Sequence, residues 1–317
     1  MDRTWIKLVS LTIIAGCFQP AHAADPALST TAAPKPSNKS SAWVFSILPK
    51  AFQKHPLLAI SVITEMTDEG RKLKPPSPEN PIYYYVFSSG YHEEGAGSAT
   101  EGNVSAENLK KQVQAALAAN GYLQGDKEHP ATQVLFFFWG VHNKLPKYDP
   151  ETGDGGFDDV GHQNLLSRAA LVGGAAFAKE LSKALSEQSL TGGPAGSFFD
   201  PVYRFANRDD LTRNLMEQVL DDCYYVVISA YDGAAIAHKE RKLLWRTKMS
   251  TPAQGVSLVE TTPALVASGE SFFGRDMTAA AIVDKRISRS SKVETGELKV
   301  ISLDEKPAEQ KTPQAAK

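Results

Sequence analysis

VLFFFWGV, residues 134–141, is apolar on both faces of an extended chain. A run this short and this rich in aromatics is a buried central strand rather than a helix, because only a strand covered from both sides gains from two apolar faces. The segments on either side of it supply the rest of the fold.

Upstream, Ser105 can cap a helix whose Leu109, Val113, Ala116 and Leu117 fall on one face. Asn120-Gly121 supplies its left-handed end. Before it, the tyrosine-rich segment Pro81 to Ser88 reads as a strand and Gly90 to Gly102 as a glycine-rich loop. Leu58 to Thr64 is a further strand, separated by LKPPSPENP, whose prolines bar regular structure. Downstream, Leu165 to Leu185 is expected to form one helix rich in small residues (AALVGGAAFA), and TGGPAGS marks a subdomain break near 191–200. Asp209 or Asp210 caps the next helix, with Leu211, Leu215 and Val219 on one side.

Cys223 to Tyr231 is another strand apolar on both faces, and Lys242 to Ser250 is its hairpin partner. In the latter, Leu243, Trp245, Thr247 and Met249 point to the core, while Leu244, Arg246, Lys248 and Ser250 are expected to meet water. Two helix starts compete after it. Ser257 and Glu260 have capping-box spacing, and Thr262-Pro263 places proline at a first helical position; the proline start is preferred, with Phe272 and Phe273 then packing on the sheet. The sum is an α+β fold, a mixed, largely antiparallel sheet covered by helices.

The termini differ in kind. Arg3 and Lys7 precede an apolar run from Leu8 to Gly16, the layout of a secretory signal. Since a bilayer-spanning helix needs about 20 apolar residues, the run is too short to stay in a membrane. Two cleavage points compete: after Ala23, in Ala21-His22-Ala23, giving a signal of residues 1–23, or before Cys17, in Ile14-Ala15-Gly16-Cys17, giving one of residues 1–16. Ile14-Ala15-Gly16-Cys17 resembles a bacterial lipobox, which would make Cys17 the acylated first residue. Residues 24–41 are Ser, Thr, Pro and Ala rich, unable to bury a core, and read as a disordered tether. The globular domain is placed at 42–285 and a polar, mostly disordered tail at 286–317.

The order AANGY, VLFFFWG, small-residue helix, YYVVISAYD and KLLWR resembles uncharacterised exported lipoproteins of bacterial envelopes, in which a helix-on-sheet domain follows a signal and a tether. The resemblance implies location and architecture and carries no catalytic residue with it.

Chemistry is sparse. A net charge of −2 in mixed-sign segments gives no basic stripe for phosphate backbones, so nucleic acid is not expected as a partner. With Cys17 lost or acylated, Cys223 stands alone and no internal disulfide forms. His92-Glu93-Glu94 at a strand end is one candidate ligand or metal cluster. The acidic loop 149–159, DPETGDGGFDD, offers Asp149, Asp154 and Asp158 as oxygen ligands but lacks EF-hand spacing. Neither is a complete metal site, and no cofactor motif occurs. Asp232 before Gly233 reads as a turn. Tyrosines 83–85 and Phe136 to Trp139 either pack the core or line an apolar groove.

The expected function is therefore a binding or assembly module in the periplasm or cell envelope. Its expected partners are a membrane, through the N-terminal lipid, and another envelope protein. The alternative is a periplasmic, hydrolase-like enzyme whose site is assembled from distant residues.

Overall fold

A computed structural model of the protein describes residues 48–77, 79–96, 104–145, 159–191 and 195–289. The strands are β1 (Leu57–Met66), β2 (Ile82–Glu94), β3 (Tyr122–Gln124), β4 (Gln133–His142), β5 (Cys223–Asp232), β6 (Leu243–Pro252) and β7 (Ala281–Arg286). They form one sheet in the order β3-β2-β4-β5-β6-β1-β7. β2 runs parallel to both β3 and β4, and every other neighbouring pair is antiparallel, so the sheet is mixed and largely antiparallel as expected.

The helices are α1 (Asp68–Arg71), α2 (Ala106–Ala118), α3 (Asp159–Val172), α4 (Gly174–Thr191), α5 (Pro201–Ala206), α6 (Asp210–Val219), α7 (Gly233–Ala237) and α8 (Leu258–Gly269). Local chemistry starts several of them. Ser105, Asp200, Asp209 and Asp232 each accept a backbone N–H at the N-cap of α2, α5, α6 and α7. Asp232 thus serves the turn that Asp-Gly announces.

Each face of the sheet carries its own core. On one, α2 and α8 cover Leu135, Phe137 and Trp139 of β4, Tyr224, Val226 and Ile228 of β5, and Trp245 and Met249 of β6. Trp245 stacks on Phe273 with ring centres 6.2 Å apart and meets Tyr122 at 5.8 Å. On the other face α3, α4, α5 and α6 close over Ile63 through Leu165, Ala169, Phe177, Leu181, Phe205 and Leu215. Phe177 of α4 meets Phe205 of α5 at 5.4 Å, so the helices before and after the glycine-rich segment pack on each other.

Four local expectations change. The stretch 165–185 is not one helix: α3 ends at Val172 and α4 begins at Gly174, whose φ of +86° suits glycine. Glu65 holds the corner by accepting the Ala175 N–H at 2.6 Å. The expected loop after Gly90 is strand as far as Glu94, with a register shift between Ser88 and Gly90. Arg246 and Lys248 do not face open water. Lys248 lies under α3, donating to the Ala170 carbonyl and pairing with Glu65 at 2.8 Å. Finally, α8 starts at the Ser257–Glu260 capping box, with both reciprocal hydrogen bonds formed, and Pro263 sits inside the helix. Just after β7, Ile287 is buried and Arg289 forks onto Glu260.

The helix start is testable by urea denaturation. Ser257→Ala should lower stability by about 1 kcal/mol. Pro263→Ala, which restores a backbone donor and relieves a clash at an exposed interior position, should raise it by about 1 kcal/mol or more. A helix starting at Pro263 would give the opposite sign for the proline change.

Candidate functional site

The helical layer over Ile63 does not reach all of the sheet. Among the described residues it covers β1 and β6 and leaves an aromatic shelf over β2, β4 and one end of β5. Register fixes which side chains share that shelf: Phe87 pairs with Phe136, Tyr85 with Val134, and Val134 in turn with Tyr231. Phe87 stacks on Phe136 at 5.7 Å, and Phe136 meets Tyr231 edge-on at 5.7 Å. Tyr85 and Phe87 are 48% and 51% exposed, unusual for rings on a seven-stranded sheet. Phe136 and Phe138 are half-buried, whereas Phe137 between them is fully buried on the opposite face. The aromatic groove considered from the sequence is thus built from alternate members of the two aromatic runs.

Beside the shelf lies a cleft of about 270 Å³ bounded by Phe136, Phe138, Tyr231, Ile236 of α7, Arg241 and Arg246. The Arg246 Nε donates to the Ser229 hydroxyl at 2.9 Å.

A polar cluster occupies the far end of the same face. His142 is buried, its Nδ1 3.4 Å from a Glu94 carboxylate oxygen and its Nε2 3.3 Å from the Asn164 amide. Cys223, its cross-strand neighbour, donates weakly to the His142 carbonyl at 3.9 Å. Burial pushes the Cys223 thiol up to about 12, the state of an inert core thiol. Burial, aided by the nearby Arg168 guanidinium, pulls His142 down to about 4. Glu94 favours the charged imidazole, but its carboxylate is half in solvent and does not outweigh the desolvation. At neutral pH the cluster holds a neutral imidazole beside a protonated thiol, which is no nucleophile and base pair.

His92 and Glu93 do not converge. His92 turns edge-on to Phe138 at 5.2 Å, and Glu93 accepts from the Asn143 amide at 3.3 Å on the other face. Among the described residues no group of three or more His, Cys, Asp or Glu is placed to hold a metal ion. Cys17, Ala23, Asp149, Asp154 and Asp158 lie outside the described residues. The Glu94–His142–Asn164 contacts and the Arg246 cleft escape sequence reasoning because they join segments far apart in the chain. The one local hint is an arginine on the outward side of a core strand.

Fold and site together define an α+β domain with a partly uncovered aromatic sheet face. No family model matches the chain, and no curated protein is similar to it in sequence.

His142 yields a pH prediction. Its folded value lies below the unfolded one near 6.5, so between pH 6.5 and about 4 the unfolded chain binds the extra proton, and stability falls as pH falls. Relative to a His142→Gln variant, the wild type should lose on the order of 3 kcal/mol between pH 7 and pH 4, measured by urea denaturation at several pH values. Parallel pH profiles for the two proteins would refute the assignment.

Proposed function

We propose that the chain is an exported cell-envelope protein, held to a membrane by a lipid on Cys17, whose α+β domain acts as a binding or assembly module for another envelope protein. The observation that carries the binding half is the edge of β2, which beyond Tyr84 pairs with no described segment. β3 pairs only with Ile82 to Tyr84, and Gly125 donates to the Tyr84 carbonyl where that pairing stops. Alternation along the strand then turns the peptide groups of Val86 and Ser88 outward, and no described segment pairs with them.

Edges of this kind are ordinarily protected by charge, proline or a covering element. Residues 81–91 (PIYYYVFSSGY) contain no charge, and the only proline precedes the strand. An exposed edge beside exposed Tyr85 and Phe87 suits the addition of an extended partner segment. Backbone hydrogen bonds would supply affinity and the aromatic rings selectivity. Export and anchoring are supported by the N-terminal layout alone: Arg3, Lys7, the short apolar run and Ile14-Ala15-Gly16-Cys17.

The two halves are tested separately. Metabolic palmitate should label the wild type and not Cys17→Ala, which should leave the membrane fraction; an unlabelled wild type removes the anchor. For the binding half, a photo-crosslinking amino acid at Phe87 should give one discrete membrane-protein adduct in intact cells. Val86→Pro, which removes an outward donor, should abolish that adduct, whereas Val86→Ala, which loses buried side-chain packing at the same core position but keeps the donor, should retain it. An adduct that survives Val86→Pro would show that the edge is not used.

A further inference from the structure

The cleft beside the shelf has a chemistry of its own, and of β2 it touches only Ser89 among the described residues. Its floor is aromatic, from Phe136, Phe138 and Tyr231, its wall includes Ile236, and two guanidinium groups border it. Arg246 is half-buried, with only Nε occupied, by Ser229 at 2.9 Å. Its two terminal amino groups make no hydrogen bond or ion pair with any described residue, and neither does Arg241. A guanidinium carries five donors in a planar fork, so leaving the outer ones unmatched in a partly desolvated place is costly.

The neighbouring carboxylates are committed elsewhere. Glu65, directly across from Arg246 on β1, gives one oxygen to the Ala175 N–H at 2.6 Å and the other to Lys248 at 2.8 Å. Asp232 caps α7 through the Ala234 and Ala235 N–H groups. Glu65 still attracts Arg246 through space, but the Arg246 Nε is bonded to Ser229 of β5 and its terminal amino groups border the cleft.

We infer that this cleft binds a small amphipathic carboxylate, its anionic head forked by Arg246 with support from Arg241 and its apolar body lying on Phe136, Phe138 and Tyr231. The pairing is the planar, bidentate one for which arginine is suited, and the aromatic floor accepts a ring or a short hydrocarbon chain. At about 270 Å³ the cleft falls at the small end of ligand sites, which excludes a long-chain lipid body. The same chemistry is carried by a free aryl or short-chain carboxylate and by the C-terminal residue of a peptide.

Isothermal titration of the purified full chain with phenylacetate, acetate and 2-phenylethanol tests the inference. Phenylacetate should bind at least about tenfold more tightly than either control, since each lacks one half of the match. Arg246→Gln should weaken phenylacetate by about tenfold or more and leave 2-phenylethanol unchanged. Should Arg246→Gln fail to fold, Arg241→Gln, at an exposed position, should give a smaller loss in the same direction. A blocked dipeptide ending in free phenylalanine, set against its C-terminal amide, separates the two sources: if only the peptide acid binds, the ligand is a chain terminus. Equal binding of phenylacetate and 2-phenylethanol, no binding of either acid at millimolar concentration, or a folded Arg246→Gln with wild-type affinity would overturn the inference. The cleft is read by titration of Arg246 and Arg241 variants, with β2 unaltered, and the edge by crosslinking in Val86 variants, so failure here and failure of the edge-pairing proposal are distinguishable.

Discussion

The pairing of β4 with β5 is the joint on which the molecule depends. The two strands run antiparallel and in register from Gln133 opposite Asp232 to His142 opposite Cys223. On one side β4 carries the parallel part of the sheet, β2 and β3, and on the other β5 carries the antiparallel part, β6, β1 and β7. Both strands are sealed on one face by α2 and α8, which buries Leu135, Phe137, Tyr224, Val226 and Ile228 completely or nearly so. A defect there would separate two half-sheets, each with a raw edge. Gly140 shows how tight the joint is: a Cβ there would sit 1.7 Å from the His92 carbonyl oxygen, which also receives the Tyr225 hydroxyl at 3.3 Å.

The opposite face is finished unevenly, and that unevenness creates the functional surface. α3 and α4 stop over β1 and β6 because the Gly173–Gly174 corner folds one helix back on the other. Lys248 and Glu65, under that corner, become an internal pair, whereas Arg246, one alternate residue further along β6, emerges at the cleft. Identical chemistry is thus structural at one position and available at the next. The same boundary separates Phe177, packed in the helical core, from Phe87 and Tyr85, left in contact with water.

Much of this fold was legible because two-sided burial leaves a plain mark. VLFFFWGV and CYYVVISAY could only be central strands, and the alternation from Leu243 to Ser250 named the face of β6 that holds Trp245 and Met249. What stayed hidden depended on partners from elsewhere in the chain. Arg246 and Lys248 look solvent-directed in isolation; a helix supplied by residues 159–172 decides that Lys248 is covered. Within Phe136-Phe137-Phe138 nothing local tells which rings are sealed, since α2 and α8 cover one face and the described helices on the other cover β1 and β6. Thr262-Pro263 reads in sequence as the stronger start, yet α8 begins at the Ser257–Glu260 box and carries Pro263 in its interior, where the ring removes one backbone donor. Of the candidate site residues, His92 and Glu93 were visible as a cluster in sequence, yet strand alternation sends them to opposite faces. Glu94, the third member, is the one that meets His142.

Arg289 gives the domain a mechanical character. Its guanidinium is forked onto Glu260 and also donates to the carbonyls of Lys50, Ala51 and Gly255, while its own N–H reaches the Lys54 carbonyl. A load applied at residue 48 would therefore pass through this clasp into α8 and β7 before it reached β1. β1 itself pairs with β7 over Leu57 to Val62 and with β6 over Ser61 to Met66, so a pull along its axis bears on the two ladders in turn. Forced unfolding is governed by the barrier to that first rupture and not by the total stability. Whatever tugs at the N-terminal side of this domain thus loads the Arg289 clasp first, on the side of the sheet away from the aromatic shelf on β2 and β4.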